Sequence, residues 1–564
     1  MMSCDFLSWG SADLWALSLF LIAVLWYRYT AARNKFSSYE KRDNANSYPL
    51  TFPYVFPVLG TLPISYLWRP RAFVLNPSSF FQSVHPVRIR LLTYEFYVIR
   101  GSENVKTLFK RSWACTPIPF VKFALGYAFG LPAKALSLYD QDDSGGGHVP
   151  HQNSTVESRN RVDYRAHQSL IQLLEGNGLV PFWNRFADNI TQQLCKLHDS
   201  VGPEWDHRAD LMTLVGDEIS VSTLNALCGP YLLSLNPNFL SDYWSFDRNL
   251  QTYLQGVPWV FAPKAYAARK RVLNAVKTWQ QHARDHYHDS VKDSGGDDPY
   301  WGSSFFRNRQ DMFLEMDGFD YDAIASADFG LIWAARNSIT AASWTTFELY
   351  RDPELLASVR EEVDACVLTD ADDHIRFDLD KLLRLPVLQA VYAETLRLRM
   401  HFYIIRMPDK ADMEFRDWVI PRRKVIVTPT TVAHFDSEAW NTGLNNEHPL
   451  DQFWIGRFLK YPSTSVRSSS RPGDSASTVT FSTKDLEGSW IPYGGGPRQC
   501  PGRHFSKRQI LLTTALMISL FDCEIIEEGR NVKEDLTLKG FGGGVSHPVG
   551  KVPISIRRRN RNVM

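Results

Sequence analysis

The chain has 564 residues, 44% hydrophobic and 22% charged, with 34 Phe and 17 Trp, a composition that argues against disorder and provides for a large core. Lys and Arg total 62 against 61 Asp and Glu, so no global basic field exists to attract nucleic acid, and a nucleic-acid role is set aside. The 7 scattered cysteines, an odd number with no Cys-x-x-Cys pair, indicate neither a disulfide scaffold nor a zinc knuckle and suit a reducing compartment.

Leu14 to Tyr27 reads LWALSLFLIAVLWY, an uncharged run bracketed by Trp15 and Trp26 as interfacial aromatics bracket a membrane span. It is shorter than the roughly 20 residues a span needs, and Phe6 to Trp9 can extend it. No small-residue cleavage site follows. Instead come Arg28, Arg33, Lys35, Lys41 and Arg42, which predict an uncleaved single-pass anchor over residues 1–35 with this side cytoplasmic. Prolines 49, 53, 57 and 63 then make residues 36–64 a semi-rigid spacer, leaving 65–564 as the folded body.

Within the body the pattern is mostly helical, and two polar stretches, Asp140 to Ser158 (with DDSGGGH) and Ser463 to Ser482, read as surface insertions without a catalytic role. His282 and His286 have a metal-compatible i, i+4 spacing. They lack the glutamate of a zinc protease and sit among polar residues, so a surface helix is the better reading.

Tyr321 to Tyr350 has no proline and is apolar nearly all round, which predicts one helix of about 45 Å through the middle of the fold. In it Ala334 and Ala335 precede Asn337 and Ser338. One reading is close helix packing with a solvated Asn. The other is a flat cofactor against the alanines, with the Ser338 hydroxyl bonding a carbonyl one turn back and loosening the helix. Pro386 opens a second helix, PVLQAVYAETLRLRM, in which Glu394 and Arg397 share a face among apolar neighbours. A buried pair needs further partners, and Arg457 in FWIGRF is the candidate to complete it.

WIPYGGGPRQCPG follows at residues 490–502. It lacks the Gly-Lys-Ser or Gly-Lys-Thr of a phosphate loop, and Cys500 as a nucleophile lacks an oriented base, because nothing positions the nearby His504. A thiolate metal ligand fits: glycines admit a flat macrocycle, Arg498 can neutralise a carboxylate, and the amides of Gly502 and Arg503 can donate to the sulfur. The tail from Arg557 to Arg561 either touches lipid headgroups or is simply solvated.

These features together resemble a cytochrome P450, a haem-thiolate monooxygenase. The cysteine loop of that family, Phe-x-x-Gly-x-Arg-x-Cys-x-Gly, is matched in register by Tyr493, Gly496, Arg498, Cys500 and Gly502, with only the aromatic changed. Its Glu-x-x-Arg is matched by Glu394 and Arg397 and its later arginine by Arg457, and the match runs from about residue 65 to the C-terminus. The resemblance implies a mainly α fold with small β-sheets and haem b as cofactor. It makes Cys500 the axial ligand and gives Glu394, Arg397 and Arg457 a structural role. Arg498 and Arg406 would bind propionates, with Arg165 and His167 as weaker candidates.

Where relatives carry an acid before a threonine, this chain has Asn337 and Ser338, which is similar to the group of sterol 7-alpha-hydroxylases and prostacyclin synthase. Asn337 cannot ionise, so proton delivery would pass through Ser338 and ordered water. Substrate contacts by the same resemblance come from Phe120 to Leu131, Ala327 to Ile339, Phe402 to Ile405 and FGGGVSHP from Phe541. The implied activity is oxidation of a lipophilic, terpenoid or sterol-like molecule, as in secondary metabolism. Electrons would come from a separate NADPH-cytochrome reductase that docks near Arg503, Lys507 and Arg508, and the site of action would be the cytosolic face of the endoplasmic reticulum membrane. Alternatives are a haem-thiolate isomerase or dehydratase needing no external electrons, and a non-catalytic haem sensor.

Overall fold

The computed structural model describes residues 11–40, 48–61, 63–369, 375–461 and 479–560. Cys4, the Phe6 to Trp9 extension, Lys41, Arg42, most of the serine-rich stretch at 463–482 and Arg561 lie outside them.

Helix α1 spans Ser11–Glu40. From Leu14 to Glu40 it runs 27 residues and contains an 18-residue window of mean hydropathy 1.4, the one helix among the described residues long and apolar enough to cross a membrane. The helix does not end with the apolar run: Phe36 and Tyr39 are buried against the body, and the Tyr39 hydroxyl donates to the Pro86 carbonyl at 2.6 Å.

A sheet receives this end. It contains β1 (Val87–Leu91), β2 (Tyr94–Val98), β3 (Cys115–Thr116), β4 (Met400–Pro408), β5 (Val425–Pro429) and β6 (Gly543–Val545). The order is β1-β2-β5-β4-β6, with β3 also on β4; the β2–β5 pair is parallel and the others antiparallel. The residues before it run along the outer edge of β1. Phe52 N–H donates to Arg88 O at 2.9 Å, Arg88 N–H to Leu50 O at 2.9 Å and Thr61 N–H to Arg90 O at 2.7 Å. Backbone groups that an edge strand would leave open are thereby paired.

The helical core is built on α2 (Val162–Leu174), α3 (Leu179–Val201), α4 (Leu211–Cys228), α5 (Tyr321–Ala334), α6 (Arg336–Arg351), α7 (Pro386–Arg399) and α8 (Arg503–Leu520). Helices α4 and α8 each pack against both α3 and α6, and in α6 every residue from Ser338 to Tyr350 is buried. Three of its buried hydroxyls are satisfied within the helix, Ser343, Thr345 and Thr346 each donating to the carbonyl one turn back at 3.2, 2.8 and 2.9 Å, whereas Thr340 Oγ1 has no partner among the described residues.

The single helix expected from Tyr321 to Tyr350 is instead two, joined at Ala335. Side-chain hydroxyls intrude at the joint. Ser338 Oγ donates to Ala335 O at 2.9 Å and the Tyr243 hydroxyl to Trp333 O at 3.3 Å, while the backbone bond from Ile339 N–H to Ala335 O is stretched to 3.4 Å. Such intrusion into the carbonyl ladder is a recognised cause of helix breaks. Arg336 is drawn sideways, donating to Val545 O at 2.5 Å and Gly543 O at 3.1 Å and pairing with Asp247 at 3.1 Å.

Candidate active site

Helix α7 opens at Pro386 and is apolar around Glu394 and Arg397, so both charged groups are carried into the core with no exposed surface. The Glu394 carboxylate accepts from Arg397 Nε at 2.6 Å and Nη2 at 2.9 Å, from Arg457 Nε at 3.2 Å and from the Trp454 amide at 3.0 Å. The remaining guanidinium N–H groups go to carbonyls: Arg397 to His434 O and Leu450 O, Arg457 to Asn441 O, His448 O and Pro449 O. Every charge is paired and hydrogen-bonded, the condition under which burial is tolerable. None of the three residues lines the cavity described next, so their geometry is that of a brace between α7 and the 441–457 segment.

Between the sheet and the helical core lies a cavity of about 950 Å³, lined mostly by apolar side chains. The four segments singled out in the sequence meet there: Phe120 and Phe129, Ala334 and Asn337, Phe402 and Tyr403, Gly542 and Gly543 all contribute to the wall. Gln251 and Tyr66, which the sequence did not single out, also line it, and the Tyr66 and Tyr403 hydroxyls bond each other at 2.8 Å. Tyr66 lies in an unremarkable ISYLW stretch, and no sequence pattern marks it.

At one end of this cavity sits the cysteine loop. Its backbone folds on itself through Cys500 N–H to Tyr493 O at 3.0 Å and Gln499 N–H to Gly496 O at 2.9 Å. Gly496 has φ +70° and faces Phe109 O and the Ser112 hydroxyl, and Gly495 faces the Phe109 ring, so their small size is required by the neighbouring segment as well as by any ligand. Cys500 is exposed, whereas Cys115, Cys228, Cys366 and Cys523 are buried and Cys195 is half-buried. Gln499 and Pro501 on either side of it line the cavity. Surrounding protein pushes the Cys500 thiol upward in pKa, and the amides of Gly502 and Arg503, which bond the sulfur, oppose this by favouring the thiolate. Tyr493, where the motif has Phe, places its hydroxyl 2.9 Å from that of Tyr392 and 3.3 Å from Ser506 Oγ.

Arg406 and Arg498 both line the cavity beside this loop. Arg406 is buried, its Nε has no partner, and among the described residues no carboxylate stands within ion-pair distance of it. Burial and the Arg498 guanidinium push it down to about 10. A buried cation of this kind calls for an anion. A reachable thiol held by amides, an adjacent apolar cavity and an anion-seeking guanidinium fit a flat, carboxylate-bearing macrocycle with one thiolate ligand. Among the described residues no cluster of three His, Cys, Asp or Glu offers a different metal site.

Asn337 lines the cavity, but its Oδ1 accepts from Val545 N–H at 2.9 Å, tying the helix joint to β6. Ser338 is buried and gives its proton to Ala335 O. His167 lines the cavity, while Arg165 instead pairs with Glu315 at 2.5 Å. Arg503 pairs with Glu175, Lys507 donates to Gln389 Oε1 at 2.5 Å and Arg508 stacks over Trp183 at 5.8 Å. His286 bonds the His282 carbonyl at 2.9 Å on an exposed helix end.

Comparison with known proteins agrees with this geometry. The sequence profile of the family described as Cytochrome P450 matches residues 168–548. The chain is 30% identical to cytochrome P450 monooxygenase efuG of Hormonema carpetanum, over 96% of this chain and 94% of that protein, and 32% identical to cytochrome P450 monooxygenase fsoE of Humicola fuscoatra, over 91% and 88%. Cytochrome P450 7A1 of Oryctolagus cuniculus is 25% identical over 51% of this chain and 54% of its own length. The crystal structure of the cytochrome P450DA heme domain shares the fold with a TM-score of 0.60 at 16% identity, covering 92% of this chain and 99% of that one. With the profile covering most of the chain and relatives matching nearly end to end, the chain belongs to the cytochrome P450 family and is a haem-thiolate oxidoreductase with iron protoporphyrin IX as its cofactor.

Proposed function

We propose that this chain is a membrane-anchored monooxygenase in which Cys500 is the axial ligand and the substrate is a lipophilic molecule, terpenoid or sterol-like, oxidised with O2 and electrons from an NADPH-dependent reductase. The observation that carries the reading is the exposed Cys500, its sulfur met by two amides, at the end of a large apolar cavity whose charged groups include Arg406 and Arg498. When bound, the haem supplies oxygen activation, and the thiolate favours cleavage of the O–O bond.

The protein's own residues do the rest. Arg406 and Arg498 hold the cofactor carboxylates, and Glu394, Arg397 and Arg457 brace the fold behind the site. The aromatic wall excludes water and seats the apolar body of the substrate. Gln251, Tyr403 and Tyr66 line the same wall and offer hydrogen bonds to an oxygen on it. Asn337 lines the cavity and would orient water there, while Ser338, which does not line it, would have to release Ala335 O to hand on its hydroxyl proton. α1 supports placement at the endoplasmic reticulum membrane with the body in the cytosol, where Arg503, Lys507 and Arg508 lie near the thiolate loop for a reductase to meet. The likeness to cholesterol 7-alpha-monooxygenase of Cricetulus griseus, 25% identical over 51% of this chain, supports a sterol-like substrate.

A second reading, rearrangement or dehydration of an oxygenated substrate without external electrons, draws on Asn337 standing where relatives have an acid and being committed to Val545. One experiment separates them. The reduced, carbon monoxide-bound protein in membranes is examined spectroscopically for wild type and Cys500→Ala, and terpenoid and sterol panels are then assayed with and without reductase and NADPH. A red-shifted Soret band lost in the variant, with turnover only when reductase is present, is expected. Turnover without reductase establishes the second reading, and a band retained by Cys500→Ala overturns the ligand assignment. Haem binding without any turnover across the panels points to a sensor.

A further inference from the structure

The glycine-rich stretch DDSGGGH, read in the sequence as a surface insertion, is fastened to the cavity wall. Asp142 and Ser144 are buried, and Asp142 Oδ2 accepts from the Asp163 amide at 3.0 Å, joining the stretch to the start of α2. Arg161, also buried, gathers it from the other side, donating to Ser144 Oγ at 3.1 Å, His148 O at 2.8 Å, Gly145 O at 3.4 Å and Gly147 O. Its guanidinium stacks on Tyr164 at 4.3 Å.

This anchored loop closes on Arg498. A Cβ placed on Gly146 would fall 1.8 Å from Arg498 Nη2, so the guanidinium lies flush against the bare backbone there. The Asp163 side chain grips the same guanidinium, with Nη1 to Oδ1 at 3.3 Å and a second bond from Nη2 to Oδ2. Asp163 and Arg498 both line the cavity. Arg498 is therefore held on one side by a protein carboxylate and on another by a glycine, while its carbonyl accepts from Arg406 at 3.2 Å.

We propose that Asp163 and Gly146 are positioning residues that clamp Arg498 and divide its charge between a protein carboxylate and the cofactor carboxylates, thereby setting haem retention and reduction potential. The proposal rests on the reading above that Arg498 holds a haem carboxylate. An anion fixed beside the guanidinium offsets part of its positive field, and that field favours the reduced, less positive iron. Removing the anion while keeping the shape raises the potential. Crowding the guanidinium instead moves it from its place and loosens the cofactor.

The test uses the full-length, haem-loaded protein. Midpoint potential is measured by redox titration, and haem loss by transfer to excess apomyoglobin, for Asp163→Asn, Gly146→Ala, Gly147→Ala and Arg498→Ala. Gly147 is the control, because a Cβ there has only an ordinary contact, 3.5 Å from Val149 O. Expected are a more positive potential in Asp163→Asn, haem loss accelerated several-fold in Gly146→Ala, and wild-type values in Gly147→Ala. If Arg498→Ala accelerates haem loss while Asp163→Asn and Gly146→Ala both match wild type, the clamp is refuted and the role of Arg498 stands. If Arg498→Ala itself retains haem as wild type does, the underlying reading fails and the clamp with it. Equal loosening by Gly146→Ala and Gly147→Ala refutes the specific contact with Arg498.

Discussion

Glu394→Gln is the sharpest single test of how the body is held together. The change keeps side-chain volume and removes one negative charge that two buried guanidiniums share through three donors, with the Trp454 amide as a fourth. Arg397 retains two carbonyl acceptors and Arg457 three, so neither is stripped of hydrogen bonds, but both lose their counter-ion. Breaking a fully buried pair from one side costs about 3–5 kcal/mol. Native stabilities are of the order of 5–15 kcal/mol, so this is a large part of the whole. The expected outcome is a fall of about 3–4 °C in melting temperature for a chain of this size, together with reduced haem content per polypeptide. Thermal unfolding followed by fluorescence and haem quantified as the pyridine haemochrome provide the assay. A variant that melts and loads haem as wild type does would show that the three-residue brace contributes nothing of the kind argued here.

Tyr493→Phe restores the aromatic of the motif yet strands the buried Tyr392 hydroxyl, at a cost of about 1–3 kcal/mol, and the double change with Tyr392→Phe recovers most of it; denaturant titration of the three proteins decides. Ser338→Ala is expected to uncouple NADPH consumption from product and release peroxide, and unchanged coupling would remove Ser338 from the proton path. His167 is held down at about 4 by burial and by the Arg498 guanidinium, below its unfolded value near 6.5. The unfolded state thus binds the extra proton between those values, and stability falls as pH drops from about 6.5 towards 4. Melting curves across that window should flatten in His167→Gln, and an identical slope would exclude His167 as the source.

The parts legible in the sequence are those whose partners lie close in the chain or carry unusual composition. Gly496, Arg498, Cys500 and Gly502 are contiguous, and Glu394 and Arg397 are a helical turn apart, so local spacing alone brought them together; Arg457 was found because a lone arginine in an apolar stretch demands a counter-ion. What stayed hidden depends on long-range meeting. Asp163 and Arg498 are 335 residues apart, and nothing in VDYRAH announces the contact. The glycines of DDSGGGH looked like loop filler, because glycine in sequence does not say whether it is there for a turn or for a neighbour's approach. At Ala335 the loosening by the Ser338 hydroxyl was legible in the sequence, but a full break was not, since Tyr243 and Asp247 act on it from another helix.

The buried end of α1 has a mechanical consequence. A rod gripped at one end transmits torque, and here the grip is Phe36 and Tyr39 on the sheet. The chain that follows along β1 reaches Thr61, Pro63 and Tyr66, which are part of the cavity wall. For a helix that spans a bilayer, tilt is adjusted to membrane thickness. On the membrane-anchored reading proposed above, a change in the tilt of α1 would pass through this grip to the Thr61, Pro63 and Tyr66 side of the cavity wall, and lipid thickness would then bear on the shape of the chamber.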